Sequence, residues 1–104
     1  LTVKAFVTYA PSQANGVYDY RLCDEVYAKA QESGKPIVID FFASWCGSCD
    51  TMEKETFQNP EVKELLERCE FLRIQVEDVT DQRAIDLLAR FKVRGFPAVV
   101  VVRK

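Results

Sequence analysis

The sequence predicts a single α/β domain, a sheet covered on both faces by helices and joined by right-handed crossovers. Three observations carry that prediction. Strand-like and helix-like hydrophobic periods alternate along the chain in the order β-α-β-α-β-α-β. Residues 37–42 form an apolar, β-branched and aromatic run, as a strand buried on both faces requires. A chain of 104 residues is long enough to bury one core and too short for two.

Residues 1–9 alternate imperfectly, with Val3, Ala5 and Val7 on one side and Thr2, Lys4 and Thr8 on the other, and read as a strand. The turn-rich stretch from Pro11 to Gly16 follows. The chain thus divides into an N-terminal strand and loop extension over 1–17 and a domain over 18–104. Leu22, Val26 and Ala30 recur at helical spacing and Gly34-Lys35-Pro36 supplies a stop, so 21–33 reads as an amphipathic helix. The buried strand 37–42 is interrupted only by Asp40. A second helix runs from about Cys46 toward Phe57, and Asn59 as N-cap with Pro60 in the first turn restarts or kinks it. Val62, Leu65, Leu66 and Cys69 fall on one helical face, read as core. Residues 71–76 alternate as a strand. Thr80 or Asp81 caps a helix that turns Ala84, Ile85, Leu88 and Phe91 inward; Gly95-Phe96-Pro97 is a turn and 98–102 the last strand.

Composition removes several functions. A formal charge of -2 gives no electrostatic reason to expect nucleic acid or an anionic membrane as partner. With no histidine, every mechanism needing an imidazole base and every His-containing zinc site drops out. The longest apolar run, 98–102, falls far short of the roughly 20 residues of a membrane helix, so no direct membrane insertion is expected. The chain opens at Leu1 without the series of a leader peptide, and that end reads as processed or cut.

Of the four cysteines, only Cys46 and Cys49 have motif spacing. Four cysteines scattered over this length give some pair three apart with odds of about one in ten, so the spacing alone says little. Its context says more. The pair follows a buried strand and opens a helix, where unpaired N–H groups and the macrodipole favour a thiolate, the species that attacks disulfides. The first cysteine of such a pair lies at the helix mouth with its sulfur exposed and the second is shielded a turn in, so Cys46 attacks and Cys49 resolves. Zinc and iron–sulfur readings lack a second pair of ligands, and no metal or cofactor is expected. Asp40 is a candidate acceptor for the Cys49 proton, since burial raises a carboxyl pKa; alternatively it caps a loop or bonds a backbone amide. Cys23 and Cys69 read as buried free thiols, and the Glu- and Lys-rich face of 53–67 as a solvated helix surface.

The stretch Val38-Ile39-Asp40-Phe41-Phe42-Ala43-Ser44-Trp45-Cys46-Gly47-Ser48-Cys49, with Arg94-Gly95-Phe96-Pro97-Ala98 about fifty residues later, resembles the thioredoxin superfamily. Within it, Glu53-Lys54-Glu55-Thr56-Phe57 and Asn59-Pro60-Glu61-Val62 are similar to the C-terminal thioredoxin-like domain of the DsbD family of thiol:disulfide interchange proteins. The likeness spans about residues 18–104. It implies a three-layer sandwich with a central mixed sheet, a cis bond between Phe96 and Pro97 facing the cysteine pair, and a backbone edge there free to pair with an extended substrate. Trp45 would line the apolar rim of that docking site or else be a plain core aromatic.

Three departures stand out. Asp50 follows the second cysteine where lysine is usual, and its charge competes with the Cys46 thiolate. Where many thioredoxins place a lysine near the buried acid, Ile74-Gln75-Val76 offers none, which would leave Asp40 without a cation. The chain stops after 98–102, apolar on both faces, before the final strand and helix of a thioredoxin; the expectation is a longer protein cut short, or an edge covered by residues 1–9 or a partner chain. The expected function is a protein-disulfide reductase, fed by a membrane-embedded electron donor and acting outside the cytoplasm, with a cytoplasmic thioredoxin, a redox-inert interaction module or an isomerase as rivals.

Overall fold

The computed structural model describes residues 16–103. Four strands, β1 (Val17–Asp19), β2 (Ile37–Phe42), β3 (Glu70–Gln75) and β4 (Ala98–Val102), form one sheet in the order β1-β3-β2-β4. Both β1 and β2 run parallel to β3, while β4 is antiparallel to β2. The connections carry α1 (Cys23–Gln31), α2 (Gly47–Met52), α3 (Pro60–Leu66) and α4 (Gln82–Arg90). A 3₁₀ turn over Tyr20–Leu22 leads into α1, and α2 runs on into a π-helical turn over Glu53–Phe57. This is the mixed sheet flanked by helices that the sequence implies. The strand expected at 1–9 lies outside the described residues; the first strand within them is β1, whose three residues are too few for alternation to reveal.

The core lies on one face of the sheet. Ile37, Ile39 and Phe41 from β2 meet Leu72, Ile74 and Val76, and Cys23, Val26 and Ala30 from α1 close over them with Ala84 and Leu87 from α4. The even-numbered residues of β2 turn to the other face, where the register sets Val38 beside Phe71 and Asp40 beside Arg73. There Phe57 of the π turn packs on Phe71 with ring centres 5.2 Å apart. Side chains supply the helix starts: Asp81 accepts from the Arg83 amide at 3.0 Å and from the Tyr20 hydroxyl, and Asn59 accepts from the Glu61 amide at 2.8 Å ahead of Pro60.

The structure corrects three inward-facing assignments. Leu22 is exposed because it belongs to the 3₁₀ turn, and the buried stripe of α1 starts at Cys23. Ile85 is exposed and Leu87 buried, since the inward stripe of α4 passes through Ala84, Leu87, Leu88 and Phe91. No residue of α3 is buried and Leu65 is open to solvent. That helix stands off the sheet over a groove of about 1240 Å³, lined by Phe57, Leu66 and Phe71 together with the charged Lys63, Glu67 and Arg73. Three-residue β1 offers little sheet to pack against there. On β4, Ala98, Val100 and Val102 pack on the core while Val99 and Val101 are exposed, and among the described residues the strand pairs only with β2.

Lys92 closes α4 at φ 60°, with its amide bonded to the Ala89 carbonyl at 3.0 Å and the Val93 amide to the Leu88 carbonyl at 2.8 Å. A side chain with a Cβ is disfavoured in this left-handed position. Lys92→Gly is therefore expected to stabilise the fold by about 0.5–1 kcal/mol, seen as a higher denaturant midpoint with unchanged slope.

Candidate redox site

Beyond Phe42 the chain passes through Ala43, Ser44 and Trp45 to Cys46, which caps α2 in an extended conformation. The Cys49 amide donates to Cys46 Sγ at 3.1 Å, and the two sulfurs are joined in a disulfide whose Cα atoms lie 5.3 Å apart. After reduction, the same amide and the helix N-terminus would favour the anion on Cys46. The expected contrast in exposure is absent. Cys46 is 9% and Cys49 7% exposed, because Ala43, Phe42 and Phe96 close around both. The asymmetry lies in bonding: Cys46 carries the sulfur that faces an amide.

The Phe96–Pro97 bond is cis, as the resemblance implies. Phe96 packs against the cysteine pair, so the Pro97 loop adjoins it. Trp45 is 59% exposed, its ring centre 5.7 Å from that of Phe96, and its Nε1 donates to the Glu77 carbonyl at 3.0 Å. It is a surface aromatic beside the disulfide and not a core residue.

Asp40 is 2% exposed, and it does have a cation. Arg73 Nε donates to Asp40 Oδ2 at 3.2 Å from the position directly across the β2–β3 ladder. The cation therefore lies one residue before Ile74-Gln75-Val76, and Ile74 points into the core on the opposite face. Arg73 reaches onward to Glu53: Nη2 lies 2.6 Å from Oε1, an ion pair that lacks the alignment of a hydrogen bond. The guanidinium carbon stands 5.0 Å from the Phe42 ring centre and 5.8 Å from that of Phe57. Burial pushes the Asp40 carboxyl above its ordinary range; Arg73 opposes that shift and the charge of Glu53 adds to it.

Asp50 is exposed and pairs with Lys54 at 3.1 Å one turn on, which offsets part of the charge expected to compete with the thiolate. Cys23 is free and buried, its thiol pushed up to about 12 by burial, with Asp24 adding to the shift. Cys69 is also free but only half-buried, because α3 leaves it at the groove. Arg73, Glu53 and Glu77 are the site's neighbours that sequence reading passed over. Alternation puts Arg73 on the face opposite the buried Leu72, Ile74 and Val76, but only the β2–β3 register sets it against Asp40.

A disulfide closed across the first turn of a helix, beside a cis-proline loop, defines a dithiol–disulfide redox domain. The family assignment follows from comparison with known proteins: residues 20–104 match the thioredoxin-like family, and the chain belongs to it. The thiol:disulfide interchange protein DsbD of Pseudomonas fluorescens is 36% identical over 98 residues, 92% of this chain and 15% of that protein. DsbD of Cronobacter sakazakii is 41% identical over 75 residues, 70% of this chain and 12% of that protein. The chain thus spans only 12 to 15% of these two relatives' lengths. Among solved structures, the reduced C-terminal domain of Neisseria meningitidis DsbD superposes with a TM-score of 0.68 at 33% identity, over 84% of this chain and 76% of that one. A Thermus thermophilus thioredoxin gives 0.61 at 28%, over 82% and 62%.

Because the folded chain holds the Asp40 proton more tightly than the unfolded chain, stability should fall as pH rises from the ordinary carboxyl value of 3.8 through the raised folded one. Asp40→Asn removes that loss. Its stability relative to the parent is expected to climb across that window by about 1.4 kcal/mol per unit of elevation. Denaturant titrations from about pH 4 to about pH 8 measure this, and a difference independent of pH contradicts it.

Proposed function

We propose that this domain reduces disulfides in partner proteins by dithiol–disulfide exchange, outside the cytoplasm. One observation carries the reading: a disulfide-bonded cysteine pair at a helix mouth, with Cys46 Sγ facing the Cys49 amide. In the reduced domain, the Cys46 thiolate attacks one sulfur of a partner disulfide, forming a mixed disulfide and expelling the partner's other sulfur as a thiolate. Cys49 then gives its proton to Asp40 and attacks Cys46 Sγ. The Cys46–Cys49 bond closes, the second partner thiolate leaves, and two electrons have passed to the partner. Trp45, Phe96 and Pro97 form the rim against which the partner segment lies, with the strand edge at Pro97 available for backbone pairing.

Likeness to the interchange proteins supports the oxidoreductase assignment and suggests where electrons come from. The proposed donor is a membrane-embedded partner, and the proposed compartment is extracytoplasmic. Among the described residues no helix is long and apolar enough to cross a membrane. The reducing direction draws on the residues between the cysteines, Gly47 and Ser48, which are close to the pair found in reducing thioredoxins, and on Asp50, whose charge opposes excessive thiolate stabilisation.

Equilibration against glutathione or dithiothreitol should place the Cys46–Cys49 couple near thioredoxin, about -270 mV; a value near DsbA, about -120 mV, overturns the reductase direction. In an insulin turbidity assay, Cys46→Ser should abolish turnover. Cys49→Ser should do so while accumulating a mixed disulfide visible as a shifted band on non-reducing gels. No acceleration above dithiol alone, with Cys46→Ser changing nothing, would leave a redox-inert module as the better reading.

A further inference from the structure

We propose that Glu77 is a positioning residue for the redox loop, holding Ser44 and Trp45 in place and so fixing the apolar surface that a partner protein meets beside the disulfide. The inference rests on the reductase reading above and adds the residue that presents its docking surface. The β2–β3 ladder ends where the Val76 amide donates to the Phe42 carbonyl at 2.8 Å. One residue further along the chain, past the end of β3, the Glu77 side chain takes over from the ladder. Its Oε2 accepts from the Ser44 amide at 2.7 Å and its Oε1 from the Ser44 hydroxyl at 2.6 Å. Gln75 Nε2 donates to Oε2 at 2.8 Å from the same face of the strand and orients the carboxylate. The Glu77 carbonyl accepts from Trp45 Nε1. One residue thus grips both positions immediately before Cys46.

That grip matters because burial does not supply it. Among the described residues this exposed indole has an N–H bond to the Glu77 carbonyl and a tilted ring contact with Phe96, and a free side chain there would lose rotamer entropy each time a partner docked. The bonds from Ser44 and Gln75 hold the Glu77 carboxyl below its ordinary range, so at neutral pH it is the anion, with both oxygens free to accept. The cysteine pair itself packs on the apolar Phe42, Ala43 and Phe96, and the Glu77 side-chain bonds go to Ser44 and Gln75. Loss of the tether should therefore weaken the encounter with a large partner more than the exchange chemistry.

The test uses Glu77→Ala, Glu77→Gln and Ser44→Ala in the full chain, with two substrates and one optical signal. Trp45 is the only tryptophan, so fluorescence reports the tethered ring directly. Glu77→Ala keeps the backbone carbonyl that accepts from Trp45 and removes the carboxylate that holds Ser44, so the ring should loosen through the freed backbone, with acrylamide quenching increased and anisotropy lowered. The kcat/KM for insulin should drop by about tenfold, while that for a small aromatic disulfide stays within about twofold. The amide of Glu77→Gln can still accept from the Ser44 N–H and should recover insulin reduction to within about twofold of the parent. Ser44→Ala, which loses one bond, should fall between. Equal losses on both disulfides, or an unchanged tryptophan signal in Glu77→Ala, overturn the proposal. If the parent reduces neither substrate, the reductase reading fails, and the quenching and anisotropy changes still decide whether Glu77 holds Trp45.

Discussion

A carboxylate buried in the middle of β2 constrains everything around it. Asp40 has almost no access to water, and such a group is tolerated only where a partner compensates its charge. Parallel pairing of β2 with β3 places Arg73 directly across the ladder, and a planar guanidinium can face two acceptors while stacking on rings. Arg73 does all of this, meeting Asp40 with Nε, Glu53 with Nη2, and Phe42 and Phe57 with its face. Removing one member of a buried pair typically costs about 3–5 kcal/mol, because a charge is left uncompensated. A register slip between β2 and β3 would do the same, so the trio also pins the alignment of the sheet.

The trio reaches the redox pair through the backbone. Glu53 opens the π turn that continues α2, and α2 begins at the residue after Cys46. Anchoring Glu53 to the sheet fixes how that helical segment lies across the face, and hence where its first amides point. From the other side, the end of β3 grips Ser44 and Trp45. The cysteine loop is therefore held at its N-terminal end by Glu77, two residues past the end of β3, and at its helical end by Arg73 within that strand. Polar bonds take on a task that apolar packing performs on the opposite face, where the fully buried side chains lie.

These differences explain what could be read from the sequence. Apolar periodicity marked β2, β3, β4 and the core face of the sheet because burial there is continuous. The Cys46–Cys49 pair and the cis bond at Pro97 came through local motif and family likeness. Helix faces were less legible: Leu22 and Ile85 fit an apolar stripe on paper but lie just off the buried one, and α3 has the pattern of a packed helix without enough sheet beneath it. β1 is too short to show a period. Arg73 was missed because its meaning depends on pairing between strands 33 positions apart in sequence, which single-sequence periodicity does not encode. Once the register is known, a lone arginine on the half-buried face of β3 can hardly belong to anything but the acid opposite.

The charge count of the trio bears on the proposed proton step. With both carboxylates ionised, Asp40, Glu53 and Arg73 sum to one negative charge; with one proton added they sum to zero. A neutral cluster is favoured in a poorly hydrated interior, and this accounts for Asp40 lying above its ordinary range despite the adjacent cation, with Glu53 contributing to the rise. Burial is the larger cause and outweighs the cation, while the charge of Glu53 adds to the rise. In the proposed mechanism this leaves Asp40 basic enough to take up the proton that the resolving thiol gives up. Arginine suits this arrangement better than lysine, because it stays charged through the whole cycle and leaves the proton to Asp40.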